Sequence, residues 1–218
     1  MCGICGFTHA QPEDAQVLKN MCDIMAHRGP DGEGAYLANG IALGHRRLSL
    51  IDLEGGYQPM VRKSNHHVSE LISASQALGT NKKPNDIPVV SQNGEYAIVF
   101  NGEIYNYRDL ADVLKAEGWV LKTTSDTEVL LTGYIAWGEK VLDRIRGMFA
   151  FAIWDEQKQI LFCARDFFGI KPFYYTVQQE QFIFTSEIKS ILEHPAYERE
   201  LNREALEQYL SFQFSALP

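Results

Sequence analysis

Long apolar runs are missing from this 218-residue chain. No stretch reaches the roughly 18 consecutive apolar residues that a membrane span needs. The N-terminus lacks a basic segment followed by an apolar core, so no secretory signal is visible. Positive charge is in deficit: 20 Lys and Arg stand against 28 Asp and Glu, giving a net charge of −8. That balance, with no basic cluster to offset it, argues against nucleic acid and anionic membrane as partners. Cysteine is scarce too, and Cys2, Cys5, Cys22 and Cys163 are too scattered for a secreted disulfide framework. Repeats and low-complexity tracts are absent as well. Together these absences predict a cytoplasmic globular protein. With 45% hydrophobic residues, a chain of this length has enough core to fold without staples.

One cysteine is oddly placed. In "MCGICGF", Cys2 stands directly behind the initiator Met. It is either a small second residue of no consequence, a nucleophile bared by loss of Met1, or half of a C-x-x-C with Cys5. Zinc would need a second ligand pair, and only His9, Cys22 or His27 are near, none at finger-like spacing. A thioredoxin-type C-x-x-C would follow a strand and open a helix, whereas this one lies inside an apolar strand pattern. Cys5, Cys22 and Cys163 therefore read as core residues.

The order of elements is legible in outline. "CGICGFTHA" predicts a strand, and "PEDAQVLKNMCDIMAHRG" a helix with Val17, Met21, Ile24 and Met25 on one face. "HRGPDGEG" reads as a loop and "IALGHRRLSLIDL" as a strand. Residues 61–88 are polar and read as an insertion. "VVSQNGEYAIVFNGEIYN" returns to strand character, with Asn93-Gly94 as a hairpin turn. A helix follows with Leu110, Val113 and Leu114 inward, then another whose capping box is Ser125 and Glu128. Hairpins run from Gly147 to about Glu187, and a last helix opens at Asn202 with Leu206, Tyr209 and Leu210 on one face. Strands at both ends with helices in clusters predict an α+β fold.

Seven strings now stand in one order: the terminal Cys2, "HRGPDG", "GHRRLSLIDL", "FNGEIYN", "SDTEV", "RGMFAFAIWD" and "RDFFGIKPFYY". This pattern resembles the glutaminase domain of glutamine-dependent asparagine synthetases, within the class II glutamine amidotransferases. The resemblance covers almost the whole chain outside 61–88. It implies a four-layer αββα sandwich, the N-terminal nucleophile hydrolase fold, over residues 2–200. Residues 201–218 would form a junction helix leading into an ATP-dependent synthetase domain, of which nothing is present here.

The resemblance also assigns roles. After removal of Met1, Cys2 attacks the side-chain amide of glutamine. The chemistry stands by itself: an ordinary thiol and an α-amine have matched basicities near neutral pH, so the amine can take the thiol proton and return it to ammonia. The oxyanion would meet the side-chain amide of Asn101 and the backbone N–H of Gly102, in the second of two "NGE" copies. Arg47 would take the α-carboxylate of glutamine with its planar fork, beside backbone groups of Leu48, Ser49, Leu50 and Ile51. Glu103 and Asp126 would face the α-ammonium. Each has a plainer reading: Asp126 also suits the first turn of a capped helix. Strand alternation puts Arg46 and Arg47 on opposite faces, so one alone can enter a pocket. "HRGPDG" would be a lid-like loop and "RDFFGIKPFYY" a domain-contact surface.

The implied partners are L-glutamine and a C-terminal synthetase domain. No cofactor or metal is expected in this domain, with ATP and magnesium confined to the missing one. Two other readings stay open. One is a catalytically silent assembly or regulatory domain, which an altered Cys2, Asn101, Arg47 or Asp126 would favour; all four are intact. The other is a different substrate or acceptor: an N-terminal nucleophile amidase acting on something other than glutamine, or an ammonia donor to another biosynthetic acceptor. A homo-oligomer is compatible with the composition.

Overall fold

The computed structural model describes residues 1–49, 52, 55–63, 71–73 and 96–214. Two five-stranded antiparallel sheets form its centre. The first has the order β2–β3–β1–β10–β9, made of β1 (Gly3–Thr8), β2 (Gly32–Ala38), β3 (Ile41–Arg47), β9 (Tyr174–Gln178) and β10 (Gln181–Thr185). The second has the order β5–β4–β6–β7–β8, made of β4 (Met60–Arg62), β5 (Leu71–Ser73), β6 (Tyr96–Ile104), β7 (Gly147–Asp155) and β8 (Ile160–Arg165).

Alternation along the strands builds three cores. Ile4, Leu43, Val99 and Ala152 point inward between the sheets. Cys5, Phe7 and Ala42 point the other way, onto α1 (Ala15–Asp23) and α4 (Ile188–Ile191). Ile98, Phe100 and Phe151 meet α2 (Tyr107–Ala116) and α3 (Asp126–Trp137). The result is the expected αββα order of layers. A final helix, α5 (Arg203–Phe212), starts where Asn202 Oδ1 accepts from Ala205 N at 3.0 Å. Its Leu206, Tyr209 and Leu210 are exposed. No helix among the described residues is long and apolar enough to cross a membrane.

Several local expectations shift. Of the face predicted for the first helix, Met21 and Met25 are fully buried and Val17 and Ile24 are partly buried against the same core, which Leu18 and Cys22 of α1 also join. α2 buries Leu110, Ala111 and Leu114 and exposes Val113. β2 was not visible in the sequence, because small residues dilute its apolar pattern. The polar insertion placed at 61–88 opens with two sheet residues: Val61 and Arg62 are buried in β4. The Asn93-Gly94 turn lies outside the described residues.

The capping box at α3 is only half made. Ser125 Oγ accepts from Thr127 N at 3.2 Å, as an N-cap should. Glu128 does not reach back to Ser125. Its fully buried carboxylate accepts from the backbone of Lys122 and Thr123 and from Thr123 Oγ1, and pairs with the buried Arg62 at 3.1 Å. A long-range partner has outcompeted the local one. The loop entering α3 is thereby tied to the second sheet.

Candidate active site

Cys2 immediately precedes β1 and shares parity with Ile4, on the inter-sheet side. Leu48 N–H donates to its Sγ at 3.4 Å, and Arg28 Nε donates to its carbonyl at 2.9 Å. Burial pushes the thiol up from its ordinary range, while the Leu48 N–H, the terminal amine, Arg47 and Lys171 pull the other way. Cys5 is not its partner. It lies on the opposite face of β1, fully buried, with Cys22 Sγ 3.5 Å away.

Cys2 lines a cleft of about 300 Å³ at one end of the inter-sheet space, together with Arg47, Leu48, Gly102, Glu103 and Asp126. Arg47, buried at the end of β3, donates from Nη2 to Asp52 O at 2.6 Å and lies over the Tyr57 ring. Arg46 faces the helices, bonding to Cys22 O, Glu33 and Asp23. The predicted division between the two arginines holds.

The opposite wall comes from β6 and the start of α3. β4 pairs with β6 only from Tyr96 to Ile98; the next ladder bonds would fall to Gln58, and there its side chain, not its backbone, meets Phe100. Beyond that point one edge of β6 has no strand against it among the described residues. Side chains satisfy it instead. Gln58 Oε1 accepts from Phe100 N at 2.6 Å, His45 Nε2 donates to Phe100 O at 3.2 Å, and Asp126 Oδ2 accepts from Ile104 N at 3.0 Å. In a strand, N–H groups two residues apart point the same way. The Gly102 N–H, between those of Phe100 and Ile104, therefore points to the open edge and the cleft. Gly102 must be glycine, since any Cβ there would collide with the Met148 carbonyl and the Phe100 ring.

Asn101 is buried just behind the wall formed by its neighbours Phe100 and Gly102. Its side chain shares parity with Val99 on the inter-sheet side, and its Nδ2 has no hydrogen-bond partner among the described residues. A buried donor left unmade costs about 1–3 kcal/mol. Burial raises the pKa of Asp126 to about 6, despite the N–H groups of Ile104 and Thr127, and Glu103 adds to the rise.

The remaining predicted residues separate. Ser49 is off the cleft wall, with its N–H donating to Asp31 Oδ2 at 2.8 Å. Leu50 and Ile51 lie outside the described residues. "HRGPDG" is not an open lid: Pro30 bridges to Arg47, Asp31 N bonds to Arg47 O at 3.0 Å, and β2 begins at Gly32. Among the described residues no three His, Cys, Asp or Glu side chains converge as a metal site would require.

The glutamine amidotransferase domain family matches residues 1–74 and 77–218. The chain belongs to that family. Among curated relatives, this amidotransferase domain is 37% identical to asparagine synthetase [glutamine-hydrolyzing] 3 of Bacillus subtilis, over 100% of the chain and 32% of the relative. It is 36% identical to putative asparagine synthetase [glutamine-hydrolyzing] 2 of Methanocaldococcus jannaschii, over 100% of the chain and 40% of the relative. The chain thus spans about a third of the length of such relatives. The fold is also that of glutamine phosphoribosylpyrophosphate amidotransferase from B. subtilis, with a TM-score of 0.65 at 21% identity, covering 92% of this chain and 45% of that one.

Two residues lining the amidotransferase cleft, His45 and Gln58, escaped the sequence reading, as did Lys171, whose charge acts on Cys2. His45 sits in the quoted "GHRRLSLIDL", and strand parity with Arg47 already placed it inward. Gln58 carries no sequence signal, because its partners Phe100 and Thr127 are 42 and 69 residues away. Lys171, buried in "GIKP", reaches Met1 Sδ at 3.4 Å, so it stands over the spot where the chain begins.

Proposed function

We propose that this domain hydrolyses the side-chain amide of glutamine with Cys2 as nucleophile. The ammonia would serve the ATP-dependent amidation of aspartate, carried out by a synthetase domain outside these residues. The observation that carries the reading is a thiol at a cleft whose far wall includes Gly102, its N–H on the open edge, with the Asn101 amide, unpartnered among the described residues, buried just behind that wall. Arg47 and Asp126 would take the carboxylate and ammonium of the amino-acid head. A neutral peptide amide would have no use for that pair.

The reaction begins once Met1 is gone. The Cys2 α-amine takes the thiol proton as sulfur bonds to the carboxamide carbon, and the carbonyl electrons move onto oxygen, facing Asn101 and Gly102. The oxyanion collapses, the C–N bond breaks, and the same proton leaves with nitrogen as ammonia. Water then attacks the γ-glutamyl thioester and releases glutamate.

A second reading concerns the acceptor alone: the ammonia would go to an acid other than aspartate. Ammonia release from glutamine by the isolated chain, with intact mass measured alongside, tests the first reading. Loss of Met1 and slow release independent of ATP and aspartate are expected. No hydrolysis from chain shown to lack Met1 would overturn it in favour of a silent domain.

A further inference from the structure

The open edge of β6 is the part of the cleft with least conventional support. Where β4 leaves off, the Phe100 peptide would be an unpaired edge group next to the two residues that face the oxyanion. Both of its polar atoms are instead gripped by side chains from different places. The N–H goes to Gln58 Oε1, whose own Nε2 donates to Thr127 Oγ1 in the first turn of α3. The carbonyl accepts from His45 Nε2, which crosses from the first sheet to the second.

A carbonyl can only accept, so His45 carries its proton on Nε2. Its Nδ1 is buried without a partner among the described residues. Burial, with Arg47 nearby, lowers the His45 pKa to about 3, so the ring stays neutral wherever the protein functions. It is not a proton carrier. Its one visible bond holds a backbone carbonyl.

We infer that His45 and Gln58 are positioning residues of the oxyanion site, clamping the Phe100 peptide so that Asn101 and the Gly102 N–H keep their aim. The inference rests on the reading of the cleft as a glutaminase site. Oxyanion donors work through preorganisation: a donor that wanders by an ångström loses much of its effect on the transition state while ground-state binding changes little. The bonds these two side chains make end on the Phe100 backbone and on Thr127, not on the groups that would take the amino-acid head. The clamp should therefore appear in kcat and leave KM alone.

The test uses the chain with Met1 removed. In His45→Gln the amide nitrogen reaches the position of Nε2 and keeps the donor; in His45→Asn it falls short, at the position of Nδ1. Gln58→Met keeps the volume and removes the acceptor for Phe100 N. We expect kcat for glutamine hydrolysis to fall at least tenfold in His45→Asn and in Gln58→Met, with KM within about threefold of the parent. His45→Gln should recover most of the loss. Thermal unfolding, followed in parallel, should show all three folded at the assay temperature. A folded His45→Asn or Gln58→Met with parental kcat would overturn the inference. So would a His45→Gln as impaired as His45→Asn, or a loss carried by KM. Unfolding of both deletion variants would make these bonds supports of the sheet as a whole, and would overturn it too. A parent chain that lacks Met1 and still releases no ammonia would instead strike the glutaminase reading.

Discussion

The two faces of the first sheet are built from adjacent residues and do opposite things. Toward the helices, Cys5 meets Cys22, and Arg46 meets two carboxylates and a backbone carbonyl. The groups of Cys5 and Arg46 are matched there by groups on α1 and β2. Toward the second sheet, Cys2 and Arg47 reach a cleft bounded by a buried acid raised toward neutrality, with an amide that has no partner among the described residues buried behind its wall. The residue types are the same, thiol and guanidinium. The difference is what lies across from them: a packed helix on one side, the unpaired edge of a strand on the other. Reactivity follows unsatisfied groups.

The strongest way to break that contrast is to exchange the thiols. Cys2→Ala should abolish glutamine hydrolysis, while Cys5→Ala keeps turnover and loses about 1–2 kcal/mol in denaturant unfolding. Turnover surviving in Cys2→Ala would end the assignment. Next in size is the oxyanion wall. Asn101→Ala should lower kcat about 10²- to 10³-fold at little cost in stability, since it removes a donor with no partner to lose. A large loss of stability instead would mean that the amide supports the fold.

The paired arginines sharpen the comparison further. Arg47→Ala should raise KM for glutamine roughly 10- to 100-fold, the worth of a charge-assisted bond to the carboxylate. Arg46→Ala should leave KM within about twofold and lower stability by about 1–3 kcal/mol, because it frees the Cys22 carbonyl and two acids. Equal effects of the two on KM would remove the facial division.

The smallest expected effect is a pH dependence at Asp126. Its folded pKa of about 6 lies above the unfolded value near 3.9, so the fold favours the protonated form. That contribution is complete below about pH 4 and is lost as pH rises through 6. Asp126→Asn should therefore stabilise the domain at pH 7–8, by on the order of 2 kcal/mol, and by little at pH 4. Glutamine's ammonium needs the ionised acid, so KM should climb as pH falls below about 6, and the climb should vanish in Asp126→Asn. A flat KM from pH 5 to 8 would show that the ammonium binds elsewhere.

Much of this architecture was readable in one dimension. Cys2 behind Met1, the alternation separating Arg46 from Arg47, the Asn202 cap and the Ser125 cap are all local, and local geometry carried them into the fold. The expected partner of Ser125 was local too, and there the reading failed. Glu128 lies at capping-box spacing, but Arg62, 66 residues away, together with the Thr123 backbone, makes it a better offer. The face of α1 widened to take in Leu18 and Cys22 beside the predicted Met21 and Met25, leaving Val17 and Ile24 half-buried at its margin, because a short helix with several apolar residues settles to suit the sheet it lands on. "HRGPDG" looked like a free loop because turn residues look alike whether or not a neighbouring strand binds them.

By itself the sequence determined which residues could act, because thiol, guanidinium, amide and carboxylate chemistry belongs to residue type, and the side a strand residue faces follows from a period of two. The tertiary structure alone decided which edge of β6 would stay unpaired. That edge aims the Gly102 N–H at the cleft and leaves the Phe100 peptide to His45 and Gln58. Those bonds join residues 55 and 42 positions apart, and no local pattern encodes them. An edge becomes a site only when the strand that would have covered it ends, and where β4 ends is settled by the packing of two sheets.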